Sequence, residues 1–365
     1  MPPSSTTRRA LGGLGLVLAL ASTMAAAGER LGSFPVDPKK VSVSGISSGA
    51  FMANQFHIAH STLIMGAGMV AGGLYGCAVH HLDGEELVAL NTQAIGPCMR
   101  DSGGLRGVEI YAERARQFAE LGSIDPLEGL EGDRVYMFTG SSDDVVESEV
   151  VERAASLYQA LGVTPTDLKL VKGKAGHSWV TKNYGGSCDA NHTPYINACG
   201  YDQAGDLLQH IYGELRPAVT SVSGRVIEFF QSEFAPDDEP AVHGLFDVGY
   251  LYVPQTCEPN REAKCALHVA LHGCAQSAQV LRDEFYQNAG LNEWADSNDI
   301  LVLYPQSRAI TVNDFRTKRI TDLFETNPAG CWNWFGYGYD ERFPLRAGVQ
   351  VTAIYKMIRR IMGEN

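Results

Sequence analysis

Apolar residues along this chain fall into two alternating kinds of segment. Short, nearly continuous apolar runs read as buried strands, and longer stretches with apolar residues three and four apart read as helices. Residues 40–45 read as a strand, and residues 50–60 as a helix with Phe51, Met52, Gln55 and Phe56 at turn spacing. A buried strand over 65–73, a helix over 108–121, a strand over 134–139, a helix over 150–161 and a strand over 168–171 follow. Residues 205–215 are helical, and Pro217 opens a connection that ends near Gly224. Beyond it, 225–231 and 249–254 read as antiparallel neighbouring strands, 266–271 as an apolar strand and 277–298 as one helix. A strand over 300–304 and an amphipathic helix over 349–362 complete the pattern. Strands alternating with helices predict an α/β fold, a mostly parallel sheet with helices on both faces.

The segment before this pattern has a different character. Residues 1–7 are polar, Arg8-Arg9 is basic, residues 10–21 are a short apolar run, and Ala25-Ala26-Ala27 offers small residues for cleavage before Gly28. That is the layout of a secretory signal peptide, and the run is too short to span a bilayer. Residues 1–27 are therefore expected to be removed, and the mature chain to be secreted or periplasmic. They carry two arginines and no acid, so their loss leaves 338 residues and takes the formal net charge from −13 to −15. An acidic chain is a poor partner for nucleic acid or an anionic membrane. Residues 28–365 show no repeat, low-complexity block or Ser/Thr-rich linker. The halves on either side of Pro217 look complementary, so one domain is expected, as a monomer.

All eight cysteines, at 77, 98, 188, 199, 257, 265, 274 and 331, lie after Gly28. An even count in an exported chain points to disulfides. Spacing cannot choose the pairing; sequential pairing (77–98, 188–199, 257–265, 274–331) is expected because it closes local loops. Cys188, His192 and Cys199 match no common zinc spacing. No nucleotide or metalloprotease motif is present, so no cofactor or metal is expected.

Gly45-Ile46-Ser47-Ser48-Gly49 places a serine between glycines where a strand gives way to a helix. A nucleophile on such a sharp turn is lifted above the sheet, and the small neighbours leave room for the strained backbone. Ser47 is the candidate nucleophile. An acid and a base should follow it in that order. The strand over 134–139 runs into Ser142-Asp143-Asp144; Asp143 is the candidate acid, with Asp144 the alternative if Asp143 only caps the next helix. The strand over 168–171 leads to Gly176-His177-Ser178-Trp179, whose His177 is the candidate base. The amide of Ser48, next to the nucleophile, is one candidate oxyanion donor. The His-Gly loop that supplies the second, Leu271-His272-Gly273-Cys274, comes after the nucleophile rather than before it. Circular permutation accounts for the reversal. Joining helix 349–362 to the strand over 40–45 restores the order hairpin, oxyanion strand, elbow, acid, base.

These motifs, with Gly330-Cys331-Trp332-Asn333-Trp334, make the chain resemble the poly(3-hydroxybutyrate) depolymerases. Within them it resembles the subgroup whose α/β-hydrolase catalytic domain is circularly permuted, with the lipase box near the N-terminus. The resemblance implies ester hydrolysis through an acyl-enzyme on Ser47, with Asp143 and His177 completing the triad. It places the oxyanion hole at the Ser48 and Cys274 amides and assigns Trp332 to the wall of the substrate crevice. The implied partner is a polyester or oligoester. Secreted members carry a linker and a polymer-binding domain that this sequence lacks, so amorphous polymer or soluble oligomers are expected to be better substrates than crystalline polymer. Two other readings remain open: another exported carboxylesterase of this fold, of feruloyl or acetylxylan type, and a non-catalytic polymer-binding protein.

Overall fold

The computed structural model describes residues 28–83, 86–89, 91–261, 264–316 and 319–364, so the expected signal peptide lies outside the described residues. Its main sheet is built from β1 (Val36–Ile46), β2 (Ile64–Val70), β3 (Arg134–Gly140), β4 (Leu168–Gly173), β5 (Arg225–Phe230), β6 (Val248–Val253), β7 (Cys265–Leu271) and β8 (Ile300–Tyr304). They lie in the order β4-β3-β2-β1-β7-β8-β6-β5. The pairs from β4 through to β8 are parallel, and β6 runs antiparallel to both its neighbours. Strands from both sides of Pro217 thus share one sheet.

Burial along each strand follows its place in the sheet. All seven residues of β7 are buried, as a central parallel strand covered on both faces requires. Edge strand β5 alternates instead, with Ile227 and Phe229 buried and Arg225 and Phe230 exposed. In β1 the alternation Val41-Ser42-Val43-Ser44 resembles a half-solvated strand, yet both serines are fully buried. They are satisfied by His268 of β7, which bonds Ser42 through Nδ1 and Ser44 through Nε2, each at 2.7 Å. Burial pushes the His268 imidazole down to about 3, so it sits there neutral.

The helices are α1 (Ser48–Ala59), α2 (Val108–Glu120), α3 (Ser148–Ala160), α4 (Gln203–Tyr212), α5 (Leu291–Asn298) and α6 (Val349–Ile361). One apolar cluster joins residues of α1, α2, α3 and α6 to Val41, Val43 and Leu267 of the sheet; a second joins α4 and α5 to Ile46, Tyr136 and Val302. The sheet is therefore covered on both faces. Every residue of α1 is buried, so this helix has no polar face and spacing alone could not describe it. The single helix expected over 277–298 is instead three pieces, Ala278–Leu281, Glu284–Asn288 and α5. Arg282 (φ 58°) and Gly290 (φ 78°) adopt left-handed backbone between them, which ends helical hydrogen bonding. The pairings Val79–Asp83 with Glu86–Ala89 and Trp179–Thr181 with Ile196–Ala198 were not foreseen from periodicity.

The four disulfides are Cys77–Cys98, Cys188–Cys199, Cys257–Cys265 and Cys274–Cys331, the sequential pairing. No helix among the described residues is long and apolar enough to cross a membrane. The end of α6 lies against the approach to β1, where the Phe34 N–H donates to the Ile361 carbonyl at 2.8 Å. Numbered from β5 through α6 and on into β1, the strands stand in the spatial order 1-2-4-3-5-6-7-8.

Candidate active site

Four loops leave the carboxyl ends of parallel strands β1, β3, β4 and β7, the end at which ligands bind in open α/β sheets. The loop after β1 is the elbow. Ser47 has φ 55° and ψ −124°, its N–H donates to the Val70 carbonyl at 2.9 Å, and α1 begins at the next residue. The two flanking glycines are steric necessities. A Cβ on Gly45 would stand 2.3 Å from the Gly49 backbone, and one on Gly49 would stand 2.3 Å from the Leu271 carbonyl oxygen. The strand-to-helix turn can close this tightly only because both positions lack a side chain.

The loops after β3 and β4 bring the candidate acid and the candidate base together. His177 Nδ1 donates to Asp143 Oδ2 at 2.9 Å, and both side chains are almost wholly buried. Asp143 Oδ1 accepts the N–H groups of Val145 and Val146 at 2.8 and 2.9 Å. With a carboxylate as the acceptor, Nδ1 carries the hydrogen and Nε2 is left as the basic nitrogen. Asp144 is exposed and points no carboxylate at His177. The geometry thus separates the two adjacent acids, which the sequence did not. Asn191 joins these loops: its Oδ1 accepts the His177 N–H at 2.6 Å and its Nδ2 donates to the Ser142 carbonyl at 2.9 Å.

The loop after β7 lies beside the elbow because Gly45 and Leu271 are register partners. His272 is buried and holds this loop with both nitrogens. Nδ1 lies 2.7 Å from the Gly273 carbonyl, which can only accept, and Nε2 lies 3.1 Å from the Ser307 N–H, which can only donate. The imidazole is therefore neutral with its hydrogen on Nδ1, and burial keeps it so by pushing its pKa down to about 4. Ala275, with φ 55°, turns the loop back, and Cys274 is tied to Cys331. Among the described residues neither the Ser48 nor the Cys274 N–H donates to another group of the chain. Two free amides beside a serine hydroxyl are the chemistry of an oxyanion hole.

Ser47, Ser48 and Cys274 open into a cavity of about 350 Å³. Its walls include Phe51, Ile95, Met99, Pro328, Trp334 and Phe335, and no charged side chain lines it among the described residues. Trp332 is not part of this wall. It is fully buried with its ring beside His272, at 5.5 Å between centroids. The tryptophan that lines the cavity is Trp334, stacked on Phe51 at 3.9 Å. After Cys331 the chain turns Trp332 inward and returns Trp334 to the wall, and motif spacing does not reveal which of two tryptophans does which. Ile95 and Met99, close to Cys98, also escaped sequence reasoning, because nothing local marks a disulfide-held loop as a wall. Asn191 and Gln276 carry no motif at all. Cys188 and Cys199, weighed above with His192 as metal ligands, are bonded to each other.

Comparison with known proteins gives a consistent picture. No family model matches the chain. It is 35% identical over 334 residues to a poly(3-hydroxybutyrate) depolymerase of Delftia acidovorans, covering 91% of this chain but only 61% of the Delftia protein. It is 34% identical over 338 residues to a polyhydroxybutyrate depolymerase of Talaromyces funiculosus, covering 91% of this chain and 92% of that one. Among solved structures it is similar to the PHB depolymerase from Penicillium funiculosum, with a TM-score of 0.78, 32% identity, and coverage of 92% and 99%. A PHB depolymerase complexed with an R3HB trimer superposes with a TM-score of 0.77 at the same identity and coverage.

Proposed function

The chain belongs to the poly(3-hydroxybutyrate) depolymerase family, and from that premise we propose that it hydrolyses the ester bonds of poly(3-hydroxybutyrate) or its oligomers through an acyl-enzyme on Ser47. The Ser47 hydroxyl attacks the ester carbonyl while His177 Nε2 takes its proton, and Asp143 holds the imidazole in the required tautomer. The Ser48 and Cys274 amides hold the negative charge that forms on the carbonyl oxygen. Collapse of the intermediate breaks the bond to the alkyl oxygen, which leaves with the proton held by His177. A water molecule, deprotonated by the same nitrogen, then frees the acid and regenerates Ser47.

Two observations carry this reading: the pairing of His177 with Asp143 at 2.9 Å, and an elbow serine that opens into an aromatic-walled cavity lined by no charged side chain among the described residues. A polyester of short hydroxyacids offers carbonyls to attack and methyl groups to pack, with no charge to recognise. A relative of the same family is complexed with an R3HB trimer. Among the described residues no charged side chain lines the wall, which favours this substrate over feruloylated or acetylated sugars. The four disulfides favour export to an oxidising compartment. We also read the chain as a circular permutation of the hydrolase order, a reading supported by the strand order and by the contact between Ile361 and Phe34.

The test is an assay on amorphous poly(3-hydroxybutyrate), its soluble oligomers, and acetylated and feruloylated sugars, with Ser47→Ala beside wild type. Release of 3-hydroxybutyrate units by wild type alone is expected. Hydrolysis by Ser47→Ala would overturn the mechanism, and a preference for the sugar esters would overturn the substrate.

A further inference from the structure

The two halves of the proposed machinery come from strands that do not touch. His177 follows β4 and Cys274 follows β7, with β3, β2 and β1 between them. Four strand spacings amount to roughly 19 Å, so no ladder hydrogen bond sets one half against the other. Something in the loops must.

Gln276 spans the gap. It is 1% exposed, and its side chain uses both its acceptor and its two donor hydrogens. Oε1 accepts the Gly273 N–H at 2.7 Å, in the residue before Cys274. Nε2 donates to the Pro194 carbonyl at 2.9 Å and to the Tyr195 carbonyl at 3.1 Å. Tyr195 in turn sits against the base. Its ring meets the His177 imidazole edge-on at 5.9 Å, and its carbonyl also accepts the Trp179 N–H at 2.9 Å. Tyr195 has left-handed backbone (φ 57°) inside the loop closed by Cys188–Cys199. One buried amide therefore joins the loop that carries an oxyanion donor to the loop that packs on the base.

We propose that Gln276 is a positioning residue that fixes the Cys274 amide relative to His177 and Ser47, so that oxyanion donor and base act on one carbonyl. The inference rests on the reading of Ser47, His177 and the two amides given above. The chemistry selects glutamine. By occupying the Gly273 N–H, its Oε1 leaves the Cys274 N–H as the loop's donor toward the site. A carboxylate in its place accepts but cannot donate, and would set two carbonyl oxygens against a negative charge near the forming oxyanion. An apolar side chain leaves the Gly273 N–H and the Pro194 carbonyl without the partner that Gln276 gives them in a buried site, and takes one of two donors from the Tyr195 carbonyl.

The experiment measures kcat and KM separately on a soluble p-nitrophenyl ester for wild type, Gln276→Leu and Gln276→Glu, with circular dichroism on each. In Gln276→Leu kcat is expected to fall about 100-fold, the effect of a displacement of about 1 Å at a reacting centre, while KM stays nearly constant. Gln276→Glu is isosteric and supplies the readout that a packing role would not move. Its activity relative to wild type should rise as pH falls from about 8 to about 5, because a protonated carboxyl regains one donor. Wild-type kcat in Gln276→Leu overturns the inference. If that variant does not fold, a Gln276→Glu to wild-type ratio that is flat with pH overturns it. An inactive wild type, or an active Ser47→Ala, overturns the site reading and the inference together. An active wild type with unimpaired Gln276 variants overturns the inference alone.

Discussion

Replacing Gly49 by alanine adds one methyl group where α1 leaves the elbow and meets the end of β7. The new carbon would stand 2.3 Å from the Leu271 carbonyl oxygen, 2.4 Å from that of His272 and 2.7 Å from the Leu271 carbonyl carbon. Ordinary contact begins near 3.4 Å, so a gap of about 1 Å must open between two backbone segments. Neither can yield by rotating a side chain, and α1 is buried along its whole length. The opening moves the Ser48 amide away from the Cys274 amide while leaving both chemically intact. Displacements of that size at a reacting centre cost about 100-fold in rate, and overpacking of this kind costs about 1–3 kcal/mol of stability. We therefore expect Gly49→Ala to fold, to melt a few degrees lower, and to lose about two orders of magnitude in kcat. The assay is turnover of a soluble short-chain ester at saturation, alongside thermal denaturation. Gly107→Ala is the control, since nothing lies within 4 Å of a Cβ placed there. A Gly49→Ala enzyme with wild-type kcat would refute the argument that these two loops are in contact at the limit of backbone packing.

Two more outcomes follow from the site and its surroundings. Asp143→Asn should lower kcat by about 10⁴, because the imidazole loses the partner that fixes its tautomer, whereas Asp144→Asn, altering an exposed side chain, should leave kcat unchanged; the reverse pattern in ester-hydrolysis kinetics would transfer the acid's role to Asp144. Stability should fall on mild acidification: burial pushes His60, His268 and His272 down to about 4, 3 and 4, so the unfolded chain binds their protons below its usual value of about 6.5 while the folded chain does not. Asp340 opposes them, since burial raises it to about 6 and the folded chain holds its proton where the unfolded chain has lost it. Between about pH 4 and 6 these four groups give the unfolded chain an excess of about two protons, a contribution of about 2.7 kcal/mol to the fall in unfolding free energy per pH unit of acidification; the lowered His210 and His243 add to it and the raised Glu293 and Glu325 oppose it. Urea denaturation at several pH values in that window measures the slope, and an unfolding free energy that is constant or grows toward pH 4 would refute it.

Much of the site was legible because its chemistry depends on local backbone. An elbow needs glycines on either side of its serine, and Gly45 and Gly49 announce it within five residues. Asp143 and His177 each follow a strand directly, so their placement needed only the strands. Trp332 went the other way: the motif containing it was recognisable, but the choice between Trp332 and Trp334 depends on which way the chain turns after Cys331. The segment 277–298 misled for a related reason, because Arg282 takes up left-handed backbone without any residue-level sign of it.

The sequence by itself determined the alternation of strands and helices, the elbow, the candidate base and the pair of adjacent acids that could serve it, because each depends on periodicity or on residues close along the chain. The tertiary structure alone set Asp143 rather than Asp144 against His177, buried the serines of β1 against His268, put Trp334 in the cavity wall, the cysteine loops into four sequential disulfides, and Gln276 and Asn191 between loops as buried or bridging amides. Most of those outcomes rest on contacts between segments tens to hundreds of residues apart. A buried amide or hydroxyl takes its meaning from the partner that satisfies it, and the fold supplies that partner from elsewhere in the chain.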